Sequence, residues 1–353
     1  MKNYIYKMSP LLLSILAVNA QALESLDDSQ MSSVRGQAGI TLDFNPGITT
    51  IGAITYTQDD VGLSLNDVKI TGTPGKFSTT TIDIESDGRL VLDTKQAQTE
   101  FEIGSIGMTS SIGTTGEFMG IRGRTSDYNA VNGTGETIIS LGDDPNDPNT
   151  YDLAGSKLGL FYDRLHFIDD NNEWILDDLA INAVVNYGKL VVMDDGLKFD
   201  FDAGDSFDSG SRGLSISYDA NAVGMSLGTT PETRIGYDDD LTNTFGSVSL
   251  NLNAYGSFTL LNKGKSNQGI TFIPAFTLVN DDDDIPAFKY TDDGFIVLAK
   301  NFTGDFSTNS GFTVDFSEND SGEPYIDVSY SDFAFAFNLE DLVLGGSEAA
   351  YDA

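Results

Sequence analysis

The chain has 353 residues, with 19 basic and 54 acidic side chains and a formal net charge of -35. It lacks the clustered Lys and Arg that phosphate backbones and anionic membrane faces require, which argues against both as partners. Hydrophobic residues at 40% and aromatics at 10% rule out a disordered acidic tail, and the absence of Cys rules out disulfides and thiolate metal sites.

The first element is a processing signal. Residues 1–22 combine Lys2 and Lys7, an apolar centre from Leu11 to Val18, and Ala20-Gln21-Ala22. This pattern predicts export across the inner membrane and cleavage after Ala22, because the apolar core is too short to span as a helix. Cleavage removes two of the 19 basic residues, leaving 17 against 54 acids, a charge of -37. No later run approaches the roughly 18 apolar residues of a helical span, so no transmembrane helix is expected.

Residues 23–38 read as a short helical segment. Ser25 and Asp28 fit a capping pair, Met31 and Val34 lie one turn apart, and Gly36 is a stop signal. The run from Leu26-Asp27-Asp28 through Met31 and Val34 to Gly36-Gln37-Ala38-Gly39-Ile40 resembles a segment of exported Gram-negative envelope proteins, among them proteins labelled as pilus-assembly (Fil-type). Arg35 departs from the small polar residue of that pattern. The resemblance implies an envelope or surface protein with filament association, and it transfers no catalytic residue.

From Ile40 onward the apolar period is two, as in strands with one buried face. Ile40, Leu42 and Phe44 alternate with Thr41 and Asp43, and the same alternation runs through Leu197–Ala203, Val248–Ala254 and Phe312–Phe316. Asp87-Gly88, Asp195-Gly196 and Asp293-Gly294 supply hairpin turns. The expected fold is all-β: an antiparallel extended sheet or β-sandwich behind the short N-terminal helix, with a β-barrel as the alternative. Residues 39–125 form one β region, 126–152 an acidic loop or boundary, 153–346 a second β region and 347–353 a tail. Alternation clean over only about five to seven residues, where a tilted membrane strand needs roughly 9–11, weighs against the barrel.

Three tetrads share the form Leu-x-Asp-(Val/Leu): Leu65–Val68, Leu176–Leu179 and Leu339–Leu342. The apolar parity flips across each Asp. A period-two pattern changes parity only at a bulge or bend, so these predict three copies of one corner.

Catalytic constellations are weak. The single histidine, His166, reads as a half-exposed strand residue, and Gly204-Asp205-Ser206 has no downstream histidine to act as its base. Phe207–Ser211 and Asp320-Ser321-Gly322 read as turns rather than an aspartic-protease pair. Gly264-Lys265-Ser266 lacks the earlier glycine of a phosphate loop. Trp174, beside Ile175 and Leu176, reads as core.

Calcium is the one cofactor the acids suggest. Asp143, Asp144 and Asp147, and the run Asp281, Asp282, Asp283 and Asp284, offer hard oxygen ligands whose mutual repulsion a divalent ion relieves. The expected function is a non-enzymatic envelope or cell-surface protein, filament-associated or adhesive, whose partners are envelope proteins or further copies of itself. Its place is the cell surface, outer membrane or extracellular space rather than the periplasm. The alternatives are a binding module for apolar ligands such as lipid, using Phe333–Phe337 and Ile270–Ile273, or an outer-membrane barrel.

Overall fold

Wherever apolar and polar residues alternate, the chain runs extended, and Asp-Gly or Asn-rich turns reverse it. The computed structural model describes residues 39–58, 61–110, 112–201, 213–230, 233–241, 243–262, 269–280, 284–308, 310–330 and 332–346. The signal, the helical segment 23–38, Gly204–Ser211, Gly264–Ser266, Asp281, Asp282, Asp283 and the tail lie outside these residues.

The described residues form one antiparallel sheet crossed by the chain in eleven successive passes. Pass 1 holds β1 (Ile40–Phe44) and β2 (Ile48–Gln58), and pass 2 holds β3 (Val61–Gly72) and β4 (Ser78–Ile84). Pass 3 holds β5 (Leu90–Lys95) and β6 (Thr99–Ser110), and pass 4 holds β7 (Gly113–Thr125) and β8 (Glu136–Asp143). Pass 5 holds β9 (Thr150–Asp152) and β10 (Lys157–Asp169), and pass 6 holds β11 (Asn172–Val185) and β12 (Lys189–Met193). Pass 7 comprises β13 (Gly196–Asp200), β14 (Leu214–Ala220) and β15 (Ala222–Leu227), and pass 8 is β16 (Ser247–Asn262). Pass 9 holds β17 (Ile270–Val279) and β18 (Phe288–Asp292), and pass 10 holds β19 (Phe295–Ser307) and β20 (Phe312–Glu318). Pass 11 holds β21 (Pro324–Tyr330) and β22 (Ala334–Gly345).

Each pass pairs with the one before and the one after, in two tiers. The lower tier runs β1–β4–β5–β8–β9–β12–β13–β16–β17–β20–β21. The upper tier runs β2–β3–β6–β7–β10–β11, where β11 pairs both β14 and β15 and β14 alone leads on to β16, and continues through β17 and β18 to β19 and β22. Between the tiers the ladder breaks, and side-chain amides take up carbonyls released there. Asn45 Nδ2 donates to Thr73 O at 2.8 Å, and Gln96 Nε2 to Ser126 O and Phe161 O at 2.8 and 2.7 Å. The sheet also curls back on itself: Ser110 Oγ donates to Gly322 O at 2.7 Å, and the Tyr56 and Phe316 rings lie 5.9 Å apart. Among the described residues no ladder joins pass 1 to pass 11.

The expected corners occur, with one displaced. Asp67 and Asp178 hold φ of 52° and 46°, and the register is the same on both sides of each, so the parity change is a left-handed kink within the strand rather than an inserted residue. Asp tolerates this left-handed backbone better than a branched residue does. Gly104 faces the first corner, where a Cβ would meet the Asp67 Cβ at 3.0 Å. At the third corner the left-handed residue is Asn301, φ 50°, on the partner strand β19, and its Nδ2 donates to Asp341 Oδ2 at 3.2 Å. The register is the same on both sides of it, with Lys300 opposite Asp341 and Phe302 opposite Leu339.

Four expectations need correction. Residues 126–152 are not only a loop, because β8 and β9 lie within them. Strands of 12 to 16 residues, such as β3 and β16, run past the five to seven over which alternation stays clean, because pairing continues beyond it, so the length argument against a barrel falls. Trp174 is 50% exposed rather than core, stacking on Phe245 at 6.2 Å. Ile40, Leu42 and Phe44 are exposed, because β1 is an outermost strand with a single neighbour.

Candidate functional site

The most densely connected polar cluster lies on one face of passes 2 to 6. Residues two apart on a strand share a face, and register aligns the faces of neighbouring strands. Lys69 therefore stands opposite Glu102, Glu102 opposite Arg122, and Arg122 opposite His166. Arg164 stands opposite Asp177, while Glu173 lies diagonally from His166. The face alternates in sign from strand to strand: Lys69, then Glu100 and Glu102, then Arg122 and Arg124, then Arg164 and His166, then Glu173 and Asp177.

The connection between β15 and β16 covers part of this face, held by the arginines. Arg164 Nε donates to Asp177 Oδ1 at 2.7 Å while its Nη1 donates to Gly236 O and Asp239 O, both at 2.7 Å. Arg122 Nη2 donates to Ile235 O and, at 3.2 Å, to Glu173 Oε1. Arg124 bridges Asp163 and Asp238 at 2.8 Å each. The Tyr237 ring meets His166 edge-on at 5.6 Å, with the Arg122 and Arg124 guanidiniums 5.6 and 5.2 Å from its centre.

Burial sets the protonation states. His166 and Glu173 are both 0% exposed, with 3.6 Å between His166 Nδ1 and Glu173 Oε1. Desolvation, with the nearby charges of Arg122, Arg164 and Arg234, pushes the imidazole pKa down to about 3. His166 is therefore neutral at physiological pH, and its Nε2 has no partner among the described residues. Desolvation likewise pushes the Tyr237 phenol up to about 12, so it stays protonated. The half-exposed position expected for His166 is thus overturned: the loop carrying Tyr237 closes over it.

Beside this cluster a cleft of about 330 Å³ is bordered by Lys69, Glu100, Glu102, Arg122, Arg234 and Tyr237. Its lining sets three cations, Lys69, Arg122 and Arg234, against Glu100 and Glu102, and Arg122 Nε and Arg234 Nε are buried without hydrogen-bond partners among the described residues. What the arrangement does directly is attach the loop to the sheet, with guanidinium donors holding loop carbonyls over a neutral histidine. The sequence signals for this cluster were Arg122/Arg124 and Arg164/His166, basic pairs at strand spacing in an acidic chain.

The acidic groups proposed as calcium ligands are placed differently. Asp144 Oδ1 accepts from Asn146 N at 2.9 Å and its Oδ2 from Lys189 Nζ at 3.1 Å, and these contacts hold its pKa below the usual carboxylate range. Asp147 accepts from Asn149 N at 3.0 Å and Thr150 Oγ1 at 2.8 Å. Asp143 is exposed at the end of β8, and Asp152 pairs with Arg89. Asp284 is described, but Asp281, Asp282 and Asp283 lie outside the described residues. Among the described residues no three acidic or His side chains converge as a metal site. Asp320-Ser321-Gly322 is the β20–β21 turn, with Asn319 Oδ1 accepting from Ser321 N at 2.9 Å and Glu323 N at 3.0 Å.

Residues 1–114 match the model of a family of unknown function, DUF6160. That stretch takes in the first three passes and ends beyond Ser110, before most of the arginine cluster and before the last passes. No curated protein and no solved structure matches the chain.

Proposed function

We propose that the chain is a non-enzymatic exported protein of the cell surface or outer envelope, working by association with other envelope proteins or with itself. The supporting observation is the apolar character of pass 11. Tyr325, Ile326, Val328, Tyr330, Phe333, Phe335, Phe337, Leu342 and Leu344 are all exposed, and Tyr330 is 70% open. Exposed apolar surface of this extent on a sheet edge marks a contact surface. The export signal and the envelope-like segment Leu26–Ile40 point to the same compartment.

Fractionation of expressing cells tests this reading. The mature protein should leave the envelope on shearing or with high salt, without detergent. Retention until detergent is added, with a heat-dependent change in gel mobility, would instead establish the outer-membrane barrel. A second reading, binding of apolar ligands, draws on the exposed Phe335 and Phe337 with Phe272. Lipid copurifying with the protein after detergent-free release would favour it.

A further inference from the structure

Resting on the association reading above, we propose that copies of this chain join head to tail, pass 11 of one beside pass 1 of the next, continuing the sheet into an open-ended assembly. Each outermost pass has ladder partners on one side only: β1 pairs β4 and β2 pairs β3, while β21 pairs β20 and β22 pairs β19, and the curl that brings the β20–β21 turn to Ser110 adds no ladder among the described residues. Both passes are apolar and open, with Ile48 76% and Phe337 65% exposed. Neither carries a Lys or Arg, the residues that usually blunt a sheet edge.

Direction and charge select the joint. With eleven antiparallel passes, passes 1 and 11 run the same way. A second copy that keeps the same face of the sheet outward therefore meets the first in one of two forms. One is a parallel joint of pass 11 to pass 1; the other is an antiparallel joint of like edges. Pass 11 bears Asp327, Asp332, Glu340 and Asp341 with no cation, so pairing it with itself sets eight carboxylates along one seam. Pass 1 bears only Asp43, which already accepts from Thr79 Oγ1 at 2.8 Å. The mixed joint thus covers the aromatic edge with far less repulsion, whereas joining pass 1 to itself leaves that edge bare. The nine open side chains of pass 11 offer on the order of 800 Å², about what one partner of a stable interface contributes. A joint between unlike edges leaves one free edge of each kind at every step, so it propagates unless the rotation per copy closes a ring.

The test uses the mature chain with Ile48→Lys, which blocks the first edge, and Phe337→Lys, which blocks the last. Light scattering after size exclusion should show concentration-dependent growth for the wild type and monomers for each variant alone. An equimolar mixture of the two should stop at dimers, because only one competent edge of each remains. Leu42→Cys and Val328→Cys, placed in the otherwise cysteine-free chain, should cross-link between copies, and Leu42→Cys with Leu344→Cys should not. Dimers from either lysine variant alone would overturn the proposal in favour of like-edge pairing. A wild type that stays monomeric to high concentration would overturn it too, while release on fractionation would leave the association reading standing with other envelope partners. Should a variant lose its β circular dichroism, Leu42→Lys and Val328→Lys replace the pair on the same two edges.

Discussion

Lowering the pH from 7 to 5 should weaken the native fold by about 2 kcal/mol through His166 alone. The folded pKa is about 3, set first by desolvation and then by Arg122, Arg164 and Arg234, whereas the unfolded chain returns the imidazole to its ordinary value of 6.5. Above pH 6.5 the ring is neutral in both states and contributes no pH dependence. Between 6.5 and 3 the unfolded state binds a proton that the native state does not, so stability falls as pH falls, by up to ~1.4 kcal/mol per unit. Urea unfolding followed across this range measures the slope, and His166→Gln, which cannot be protonated, should remove that component. The imidazole resonance of this single histidine should also stay unshifted down to about pH 4. Equal pH dependence in wild type and variant, or a midpoint near 6 for the imidazole, would refute the buried neutral assignment.

Other outcomes follow from the same contacts. Asp178→Val places a branched side chain at φ 46° and should cost about 1–3 kcal/mol in urea unfolding, whereas Asp178→Gly should be near neutral. Glu173→Gln leaves Arg122 facing an uncharged amide in a buried site and should destabilise by about 3 kcal/mol, read as a shift in the unfolding midpoint. Arg164→Met removes the donors to Gly236 O and Asp239 O, so limited proteolysis should cut within residues 233–241 well before the rest of the sheet. Replacing both Asp144 and Asp147 by Asn should leave the response of the melting temperature to millimolar calcium unchanged, since these carboxylates already serve Lys189 and their own turns; loss of a calcium-induced rise in that variant would refute this.

Much of the secondary structure was legible because it is set locally. Alternation at Leu197–Phe201 and Val248–Ala254 forms β13 and β16, and Asp87-Gly88, Asp195-Gly196 and Asp293-Gly294 lie at three hairpin turns. The parity flips at Asp67 and Asp178 also announced a local change of backbone direction, which the structure makes with left-handed residues at unchanged register rather than with bulges. The third flip misled by one strand, because the left-handed residue is Asn301 on β19 rather than a residue of β22.

The arginine cluster was not legible, and neither were the exposure of Ile40, Leu42 and Phe44 nor the burial of His166. Arg122, His166, Glu173 and Tyr237 come from four separate stretches of chain, and strand register alone sets the first three on one face. The loop is then drawn over them by guanidinium bonds to its carbonyls. Alternation likewise shows that a strand has an apolar side without showing whether anything lies against it. By itself the sequence determined an acidic, cysteine-free antiparallel β chain, because period, turn chemistry and charge act over a few residues. Only the tertiary structure decided which passes stand at the open edges and which charges are buried, because both depend on how strands distant in sequence are brought together.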